Sequence, residues 1–436
     1  MKKPISGFSK LNKSEKIEWL LKNSFSSDNN IKSILLQYCN SNEKLQKLHD
    51  EFAENTISNF YLPFAIAPNF LINNKPYTIP MVTEESSVIA AASKSAKFWL
   101  ERGGFKATVL STTKVGQVHL IYKGNFKILK KYFEKIKPKL ISDVSSITAN
   151  MNKRGGGIKS IELLNFSDKI ENYFQIKATF DTHDAMGANF INSCLEQFSK
   201  TFKDNFKYTN EIEIIMSILS NYVPECIVKA EVCCEVDLLS DSSIINPLDF
   251  ANKFVRAVKI AEIDKYRAVT HNKGIMNGID SVVIATGNDF RAIESAAHAY
   301  ASRSGNYKSL TKASVEKNIF KFSIEIPLAL GTVGGLTKLH PLANLALELL
   351  DNPNSRDLMK ITAVAGLAQN FAAIKSLITT GIQHGHMKMH LINILNQLKA
   401  SEKEKEKAVE YFKTNMVSYL TVDLFVNKLR SNGKIL

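Results

Sequence analysis

The clearest pattern of apolar and polar positions along the chain lies between residues 105 and 219. It predicts a strand or hairpin, an amphipathic helix, two strands, a long helix and a last strand. In chain order these are Phe105–Tyr122, Phe126–Lys139, Ile158–Phe166, Tyr173–Phe180, Ala185–Phe202 and Ile212–Leu219. The order β-α-β-β-α-β is typical of a ferredoxin-like domain, in which two helices cover one face of a four-stranded sheet.

The flanking sequence predicts a larger, more helical unit. Its expected helices are Ser87–Leu100, which stops at Gly103-Gly104, and Ala251–Ala261, Asp289–Ser302 and Pro341–Leu350. The small domain (109–219) therefore looks inserted between two parts of a large domain, 1–108 and 220–377. From about Thr379 a lysine-rich helical tail follows, and we expect residues 378–436 to form a mobile C-terminal flap. The predicted fold class is α/β (α+β): a large, mostly helical domain, an inserted ferredoxin-like domain and a helical flap.

Composition limits the function only weakly. The 436 residues carry a formal net charge of +14, which would attract any anionic partner, but much of the excess lies in solvated runs such as Lys403–Lys407. No run of about 18 apolar residues occurs, and no apolar segment follows Met1-Lys2-Lys3-Pro4, so we expect a cytoplasmic protein with no membrane partner. The five cysteines have no CxxC spacing, which argues against a disulfide framework or a zinc site.

Two glycine-containing segments differ in how well they fit a nucleotide site. Gly155-Gly156-Gly157 leads directly into a predicted strand, so it lacks the spacing and the helix of a Rossmann turn. The segment Asp184–Asn189 instead opens the long helix of the small domain, with Asp184 at a plausible N-cap position. Free N–H groups at a helix N-terminus attract anions, and Gly187 and Ala188 would let a pyrophosphate approach. Small residues also begin many helices for packing reasons alone.

Other polar clusters allow both structural and chemical interpretations. Asn272–Asp280 combines a lysine, two asparagines and two glycines beside the strand-like run Ser281–Ala285, which suggests polar groups positioned at a strand end. Asp289 could simply cap a helix, and Glu84 and Glu85 could simply interact with the dipole of the helix that they precede. The three histidines of an HxHxxxH pattern have no matching carboxylate or cysteine pattern, so we expect no metal. They are His384, His386 and His390.

Taken together, several of these segments resemble the ordered motifs of 3-hydroxy-3-methylglutaryl-coenzyme A (HMG-CoA) reductases. The resemblance runs from about residue 50 to 390. The matching segments are Glu54–Ile57, Glu84–Ser87, Asp184–Asn189, His271–Asp280, Thr286–Asp289, Gly366–Asn370 and Gly385-His386-Met387. Ala188 and the missing membrane anchor resemble the bacterial class II branch. Ser58 and Ser86 replace a glycine and a proline that are usual in the family, which puts the local loop geometry in doubt.

The resemblance implies a site for each motif. The implied catalytic residues are Glu85, Lys273, Asp289 and His386. The implied substrate contacts are Arg267, Ser87, Gln369, Asn370 and Asn277, and the implied cofactor contacts are Asp184, Met186, Gly187, Ala188, Asn189 and Thr148. It also implies HMG-CoA, CoA and mevalonate as ligands, and a homo-oligomer of at least a dimer, possibly a hexamer, with active sites at the interface. The cofactor would be NADPH, with NADH possible, and no metal or nucleic acid would take part.

The implied chemistry assigns each catalytic residue a role. Reducing a thioester to an alcohol takes two hydrides and develops an oxyanion each time, so a cation is needed at the carbonyl oxygen, where Lys273 fits. Asp289 would hold Lys273, Glu85 would supply a proton during aldehyde reduction, and His386 would protonate the departing CoA thiolate. Thr148, Lys153 and Arg154 lie where an acidic residue would repel a 2′-phosphate, so we expect a preference for NADPH.

Three other functions remain to be weighed. The same catalyst could oxidise mevalonate with NAD, which the sequence does not distinguish from reduction. An RNA-binding ferredoxin-like domain should carry stacking aromatics in an RNP pattern, and none is found. A thiol-dependent CoA acyltransferase would need a reactive cysteine, whereas the cysteines lie mainly in apolar settings, such as the pair Cys233-Cys234.

Overall fold

A computed structural model describes residues 4–25, 29–207, 211–379 and 391–432. Residues Met1–Pro63 form one compact unit and Phe64–Leu436 a second. Within its described residues the first unit contains three short α-helices, the first of which starts with a capping box between Asn12 and Glu15. In the same unit the Ser58 hydroxyl donates to the Leu35 carbonyl over 2.6 Å. The assignment of residues 1–63 to the large domain stays a prediction.

The described strands follow one another in pairs along the chain, with α-helices between successive pairs. The strands are β1 (Phe64–Ile72), β2 (Lys75–Val82), β3 (Lys106–Val109), β4 (Lys114–Tyr122), β5 (Gly157–Asn165), β6 (Tyr173–Asp181), β7 (Ile212–Ser220), β8 (Ile227–Glu235), β9 (Thr311–Glu316) and β10 (Ile319–Pro327). The helices are α1 (Lys13–Ser24), α2 (Asn29–Gln37), α3 (Glu43–Asp50), α4 (Val88–Leu100), α5 (Phe126–Asp143), α6 (Ser145–Lys153), α7 (Ala188–Asp204), α8 (Pro247–Ile263), α9 (Lys265–Ala285), α10 (Phe290–Ala301), α11 (Leu336–Leu339), α12 (Pro341–Leu349), α13 (Ser355–Ile378), α14 (Glu402–Tyr411) and α15 (Tyr419–Asn432).

The predicted ferredoxin-like domain is confirmed by a four-stranded sheet of the larger unit. Its strands are antiparallel and run in the order β5-β6-β4-β7, with α5 and α7 between them in sequence. Alternate residues of β4, among them Val118 and Leu120, are buried in one core with Leu129 of α5 and Phe198 of α7. Because a strand turns successive side chains to opposite faces, this alternation places both helices on one face of the sheet.

The segment Phe105–Tyr122 is not a hairpin, as the sequence had allowed. β3 pairs with β8 in a separate four-stranded sheet, whose order is β3-β8-β10-β9, whereas β4 pairs with β6 and β7. The chain thus passes from the sheet β3-β8-β10-β9 into the ferredoxin-like domain between Val109 and Lys114. Two strand-like patterns so close in sequence look the same whether the strands pair with each other or leave for different sheets.

The sheet β3-β8-β10-β9 and neighbouring helices share an aromatic core. Trp99 of α4, Phe254 of α8 and Phe371 of α13 lie in mutual ring contact with Phe320 and Phe322 of β10. Helix α13 is long and apolar enough to span a membrane, but most of its apolar residues are buried in this core. A central helix that is surrounded by other elements is apolar all round for the same reason.

The predicted strand over Ser281–Ala285 is wrong, because these residues end the 21-residue helix α9. Val282 and Val283 are both fully buried, and a short run that is buried on several sides has the same periodicity in a helix as in a strand. The glycines expected to shape a strand end lie on the helix instead. A Cβ at Gly278 would lie 2.5 Å from the Ala365 carbonyl oxygen of α13, so glycine allows the two helices to touch backbone to backbone.

The C-terminal segment contains helices, as expected. Residues 391–397 are helical, and α14 and α15 follow. Leu395, Ala408 and Val422 belong to one small core that these helices share. The mobility of this segment as a flap, and the domain boundaries given above, stay predictions.

Substituting Gly278 with alanine tests the close approach of α9 and α13. We expect Gly278→Ala to lower the free energy of unfolding by about 1–3 kcal/mol, because the added methyl group meets a backbone oxygen that cannot move aside. Gly274→Ala is the matched control one turn earlier, where a Cβ would meet nothing closer than 3.8 Å. It should raise stability by about 0.5–1 kcal/mol, as alanine usually does in a helix. Equal effects of the two substitutions in urea denaturation would contradict the packing described.

Candidate active site

Two charged side chains that lie far apart in sequence meet on the surface of the large unit. The Lys273 ammonium of α9 donates to the Glu85 carboxylate over 2.5 Å. The lysine side chain is 60% exposed and the glutamate side chain 38% exposed. An ion pair this open contributes little to stability, about 0–1 kcal/mol. The pair therefore adds little to the stability of the fold, and its ammonium is open to a ligand.

A tight turn before α4 places Glu85. The Glu85 N–H donates to the hydroxyl of the buried Thr83 over 3.1 Å. Ser87, at the N-cap of α4, has a φ of 76°, in the left-handed region that non-glycine residues rarely adopt. Such a conformation costs about 1–3 kcal/mol and usually persists where a site requires it. Ser87 thus lies two residues from the ion pair, as the resemblance implies.

A buried polar network holds the part of α9 that carries Lys273. The Asn370 amide of α13 donates to the His271 carbonyl of α9 over 3.1 Å, and its oxygen accepts from the Thr311 hydroxyl over 3.1 Å. Asn272 donates to the Lys308 carbonyl and accepts from the Leu310 N–H. These bonds fix the position of α9 against α13 and β9. Asn370 is 1% exposed and makes both of these bonds, so it supports the position of α9. Its role as a substrate contact stays a prediction.

His271 takes part in this network as a neutral ring. Its Nε2 lies 2.5 Å from the Thr311 hydroxyl, which already donates its hydrogen to Asn370. Nε2 must therefore be the donor, so the proton of the neutral ring lies on this nitrogen. Burial lowers the pKa of His271 to about 3, and the nearby Arg267 guanidinium adds to that shift. At neutral pH this histidine adds no charge to the surroundings of Lys273.

Asp280 ends one of the segments that resemble the family's motifs, but the sequence alone predicts no separate role for it. It lies seven residues after Lys273 on α9, a spacing that puts both residues on the same helix face. Burial raises its pKa to about 8, with the carboxyls of Glu294 and Glu84 acting in the same direction. Burial therefore favours the protonated form of a carboxyl on the Lys273 face. The spacing alone could have indicated the shared face, but the neighbouring carboxyls come from α10 and from the turn before α4.

Asp289 caps the helix α10, as one of its two interpretations had predicted. The ion pairs of Asp289 and Lys273 differ from the pairing between these two residues that the resemblance implies. The Asp289 carboxylate accepts from the N–H groups of Arg291 and Ala292 at the start of α10. It also pairs with the Arg291 side chain over 3.3 Å. Lys273 has its ion pair with Glu85. The holding of Lys273 by Asp289 thus stays a prediction.

The other implied substrate contacts differ in their exposure. Arg267, in the first turn of α9, is half-buried, and burial lowers its pKa. Asn277, one turn after Lys273, is also half-buried. Gln369 of α13 is 6% exposed, and no partner for its side-chain oxygen is found in the described part of the chain. Arg267 and Asn277 are therefore the more accessible of the three.

The implied cofactor segment precedes α7, but Asp184 is not the N-cap. Helix α7 begins at Ala188, and Gly187, with a φ of 96°, is its N-cap without a side-chain hydrogen bond. Asp184 instead accepts from the Ser355 N–H over 2.8 Å. The first N–H groups of α7 thus have no capping side chain, and Met186 and Asn189 lie beside them. This arrangement attracts anions.

A neighbouring loop connects the start of α7 with the Asp289 region. The Thr332 N–H donates to the Asp184 carbonyl over 2.8 Å, and the Gly331 N–H donates to the Asn288 side chain over 2.8 Å. A Cβ at Gly331 would lie 2.5 Å from the Met186 nitrogen, so only glycine permits this contact. Asn288 directly precedes Asp289, and the two parts of the site are therefore joined through one short loop.

The glycine run and the residues around it lie next to the same segment. A Cβ at Gly155 would lie 3.3 Å from the His183 ring, so the glycine run passes beside the segment that leads into α7. Lys153 and Arg154, at the end of α6, are exposed. Thr148 is 4% exposed, and its hydroxyl donates to the Ser145 carbonyl. The exposed pair, and not Thr148, thus presents polar atoms to solvent here.

The three histidines of the HxHxxxH pattern lie outside the described residues. His384, His386 and His390 fall within residues 380–390, which the structure does not describe. In residues 4–25, 29–207, 211–379 and 391–432, no group of three or more histidine, cysteine, aspartate or glutamate side chains could hold a metal ion.

Comparison with known proteins agrees with the arrangement of these motifs. The model of the family described as hydroxymethylglutaryl-coenzyme A reductase matches residues 14–391. The 3-hydroxy-3-methylglutaryl-coenzyme A reductase of Archaeoglobus fulgidus is 36% identical over 94% of this chain and 91% of its own length. A probable reductase of the same name from Borreliella burgdorferi is 34% identical over 88% of each chain.

A solved structure gives the same result. The class II 3-hydroxy-3-methylglutaryl-CoA reductase of Streptococcus pneumoniae, bound to NADPH in open conformations, matches with a TM-score of 0.71 and 34% identity. The match covers 93% of this chain and 100% of that one. With sequence, motifs and fold in agreement, the chain belongs to the hydroxymethylglutaryl-coenzyme A reductase family of oxidoreductases.

Proposed function

We propose that this protein reduces (S)-HMG-CoA to (R)-mevalonate and free CoA by two successive hydride transfers from NADPH, in the mevalonate pathway. The observation that carries the proposal is the exposed pair of Lys273 and Glu85, joined over 2.5 Å at the motif positions of the family. The likeness to an NADPH-bound class II reductase supports the choice of cofactor.

Lys273 is the proposed stabiliser of the oxyanion in both reductions. Its ammonium is open to solvent and held by one carboxylate, so it can turn towards a carbonyl oxygen without breaking a buried network. Glu85 is the proposed proton donor in the second reduction: its partly exposed carboxylate would first take up a proton from solvent, and it shares a hydrogen bond with the lysine that would hold the same oxygen. A preorganised donor to the oxyanion, the role of Lys273, is worth about 2.7–4 kcal/mol of transition-state stabilisation.

The start of α7 fits the phosphates of a nicotinamide cofactor. Its first N–H groups have no capping side chain, and a Cβ at Gly187 would collide with Thr182, so the segment is shaped for backbone contacts. Met186, Gly187, Ala188 and Asn189 are the proposed contacts, and Asp184 fixes the segment through Ser355. When bound, the cofactor would supply the hydride for each reduction.

The remaining roles follow the family resemblance. His386 is the proposed acid that protonates the CoA thiolate, which is formed only in the first reduction. Asp289 is proposed to tune Lys273 in the complex with substrate, and Arg267, Asn277 and Ser87 to contact HMG-CoA. We propose a cytoplasmic homo-oligomer of at least two chains, in which neighbouring chains complete each active site.

Replacing Lys273 with methionine tests the central role directly. We expect Lys273→Met to lower kcat at least about a hundredfold with HMG-CoA and also with mevaldehyde, because both reductions develop charge on an oxygen at the same place. The free energy of unfolding should change by less than about 1 kcal/mol, because the ion pair is exposed.

The control is Lys265→Met at the exposed start of the same helix, which should leave both activities unchanged. Steady-state assays with each substrate give the comparison. If Lys273→Met kept more than about a tenth of the wild-type kcat, the oxyanion role would have to be assigned to another residue.

The exposed pair Lys153 and Arg154 predicts a preference for NADPH over NADH. Replacing both with serine should lower kcat/KM for NADPH by about tenfold or more, because charge-assisted hydrogen bonds to the 2′-phosphate are lost. The value for NADH, which lacks that phosphate, should stay within about twofold. Lys130→Ser, an exposed position on α5, serves as the charge control. Equal losses with both cofactors would show that these residues do not contact the 2′-phosphate.

A further inference from the structure

A buried lysine lies directly behind the proposed cofactor segment. Lys114, the first residue of β4, is 5% exposed. Its ammonium donates to the Thr182 hydroxyl and, over 2.8 Å, to the Ala185 carbonyl. Both acceptors are neutral. Removing an ammonium from water is costly unless it is paired with a negative charge, so a lysine held only by neutral acceptors calls for a functional explanation.

The charged groups around Lys114 compensate it only from a distance. Asp181 and Asp184 favour its charged form, but each carboxylate has other partners: Asp181 accepts from Thr112 and the His183 N–H, and Asp184 accepts from Ser355. Burial lowers the pKa of Lys114 and raises that of the neighbouring Cys226 thiol to about 11. The thiol is thus protonated at neutral pH and does not act as a counter-ion.

The hydrogen bonds of Lys114 close a turn that leads into α7. The Ala185 N–H donates to the Thr182 carbonyl over 3.0 Å, and the Thr182 hydroxyl donates to the Ala185 carbonyl over 2.7 Å. Lys114 binds both ends of this turn. The methyl group of Thr182 lies against Gly187, because a Cβ added to that glycine would be 2.5 Å from the methyl carbon. One lysine therefore reaches the N-cap of α7 through a single intervening side chain.

The packing beside the turn is incomplete. A cavity of about 20 Å³, enough for roughly one water molecule, is lined by Lys114, Met186, Ala188, Leu219 and Ala292, among other residues. The position of the turn therefore also depends on directional hydrogen bonds, of which those of Lys114 are the charged and stronger ones.

We propose that Lys114 is a positioning residue for the nicotinamide cofactor: its ammonium holds Thr182 and Ala185, and so sets Gly187 and the free N–H groups of α7 where a pyrophosphate binds. The proposal rests on the proposed function, because it deepens the role of the same site. As a positioning residue, Lys114 should affect cofactor affinity without affecting either substrate affinity or the chemical steps.

The test measures cofactor binding apart from turnover. NADPH is titrated against the protein by fluorescence or calorimetry, and HMG-CoA is titrated separately. We expect Lys114→Met, which keeps most of the side-chain volume, to raise the Kd for NADPH about tenfold. The Kd for HMG-CoA and kcat at saturating NADPH should stay within about twofold, which a general loss of folding would not allow.

Two substitutions at Thr182 separate hydrogen bonding from packing and serve if Lys114→Met does not fold. Thr182→Val keeps the methyl contact below Gly187 but removes the hydroxyl, so it should weaken NADPH binding several-fold. Thr182→Ser keeps the hydroxyl and should bind NADPH nearly as the wild type does. Lys159→Met is the matched lysine control, because Lys159 donates over 2.7 Å to the hydroxyl of Thr113, the residue before Lys114, so the substitution removes a lysine hydrogen bond beside the turn instead of one within it.

The outcomes distinguish this inference from the proposed function. If the wild-type protein binds no NADPH, the proposed function fails. If the wild type binds NADPH and neither Lys114→Met nor Thr182→Val weakens it, the positioning role of Lys114 is wrong and the proposed function stands. Equal losses of NADPH and HMG-CoA affinity would also overturn the positioning role, because they indicate damage to the whole site.

Discussion

The close contact between α9 and α13 is the constraint on which the site depends. Gly278 brings the two backbones together, and the buried bonds of His271, Asn272 and Asn370 fix the helix α9 along and around its axis. Lys273 lies between these anchors, so its ammonium projects from a rigid helix towards Glu85. Catalytic groups require positions accurate to a fraction of an ångström, and a helix anchored on both sides of the lysine provides them better than a loop could.

The proposed cofactor segment depends on a different kind of support. It is held from behind by the Lys114 ammonium, from one side by Thr332 and Ser355, and through Gly331 it is connected to Asn288, the neighbour of Asp289. The ferredoxin-like domain thus supplies the N-terminus of α7, and the backbone N–H groups of Thr332 and Ser355 hold the segment that leads into it. We expect this division to matter for a reaction that must exchange the cofactor between two reductions, because the hydrogen bonds of a loop break and re-form more easily than a packed core.

The sequence predicted the small domain well, because alternation along β4 and β6 and the amphipathic pattern of α5 and α7 are local signals. It failed where burial removes periodicity, as in Val282 and Val283 of α9, and where a strand changes sheet, as between Val109 and Lys114. In the site, the motifs indicated Lys273 and Glu85, but nothing local indicated that Asn370 would be sealed inside a network or that Lys114 would be buried. Both facts depend on partners more than 50 residues away in the chain.

The most direct test of the account is the stoichiometry of the reaction with purified protein, HMG-CoA and NADPH. NADPH oxidation is followed by absorbance, CoA release by a thiol reagent, and the product by mass spectrometry. The account predicts two NADPH oxidised for each CoA released, with mevalonate as the product. Release of CoA without NADPH oxidation, or one NADPH for each CoA with an aldehyde as the final product, would contradict it.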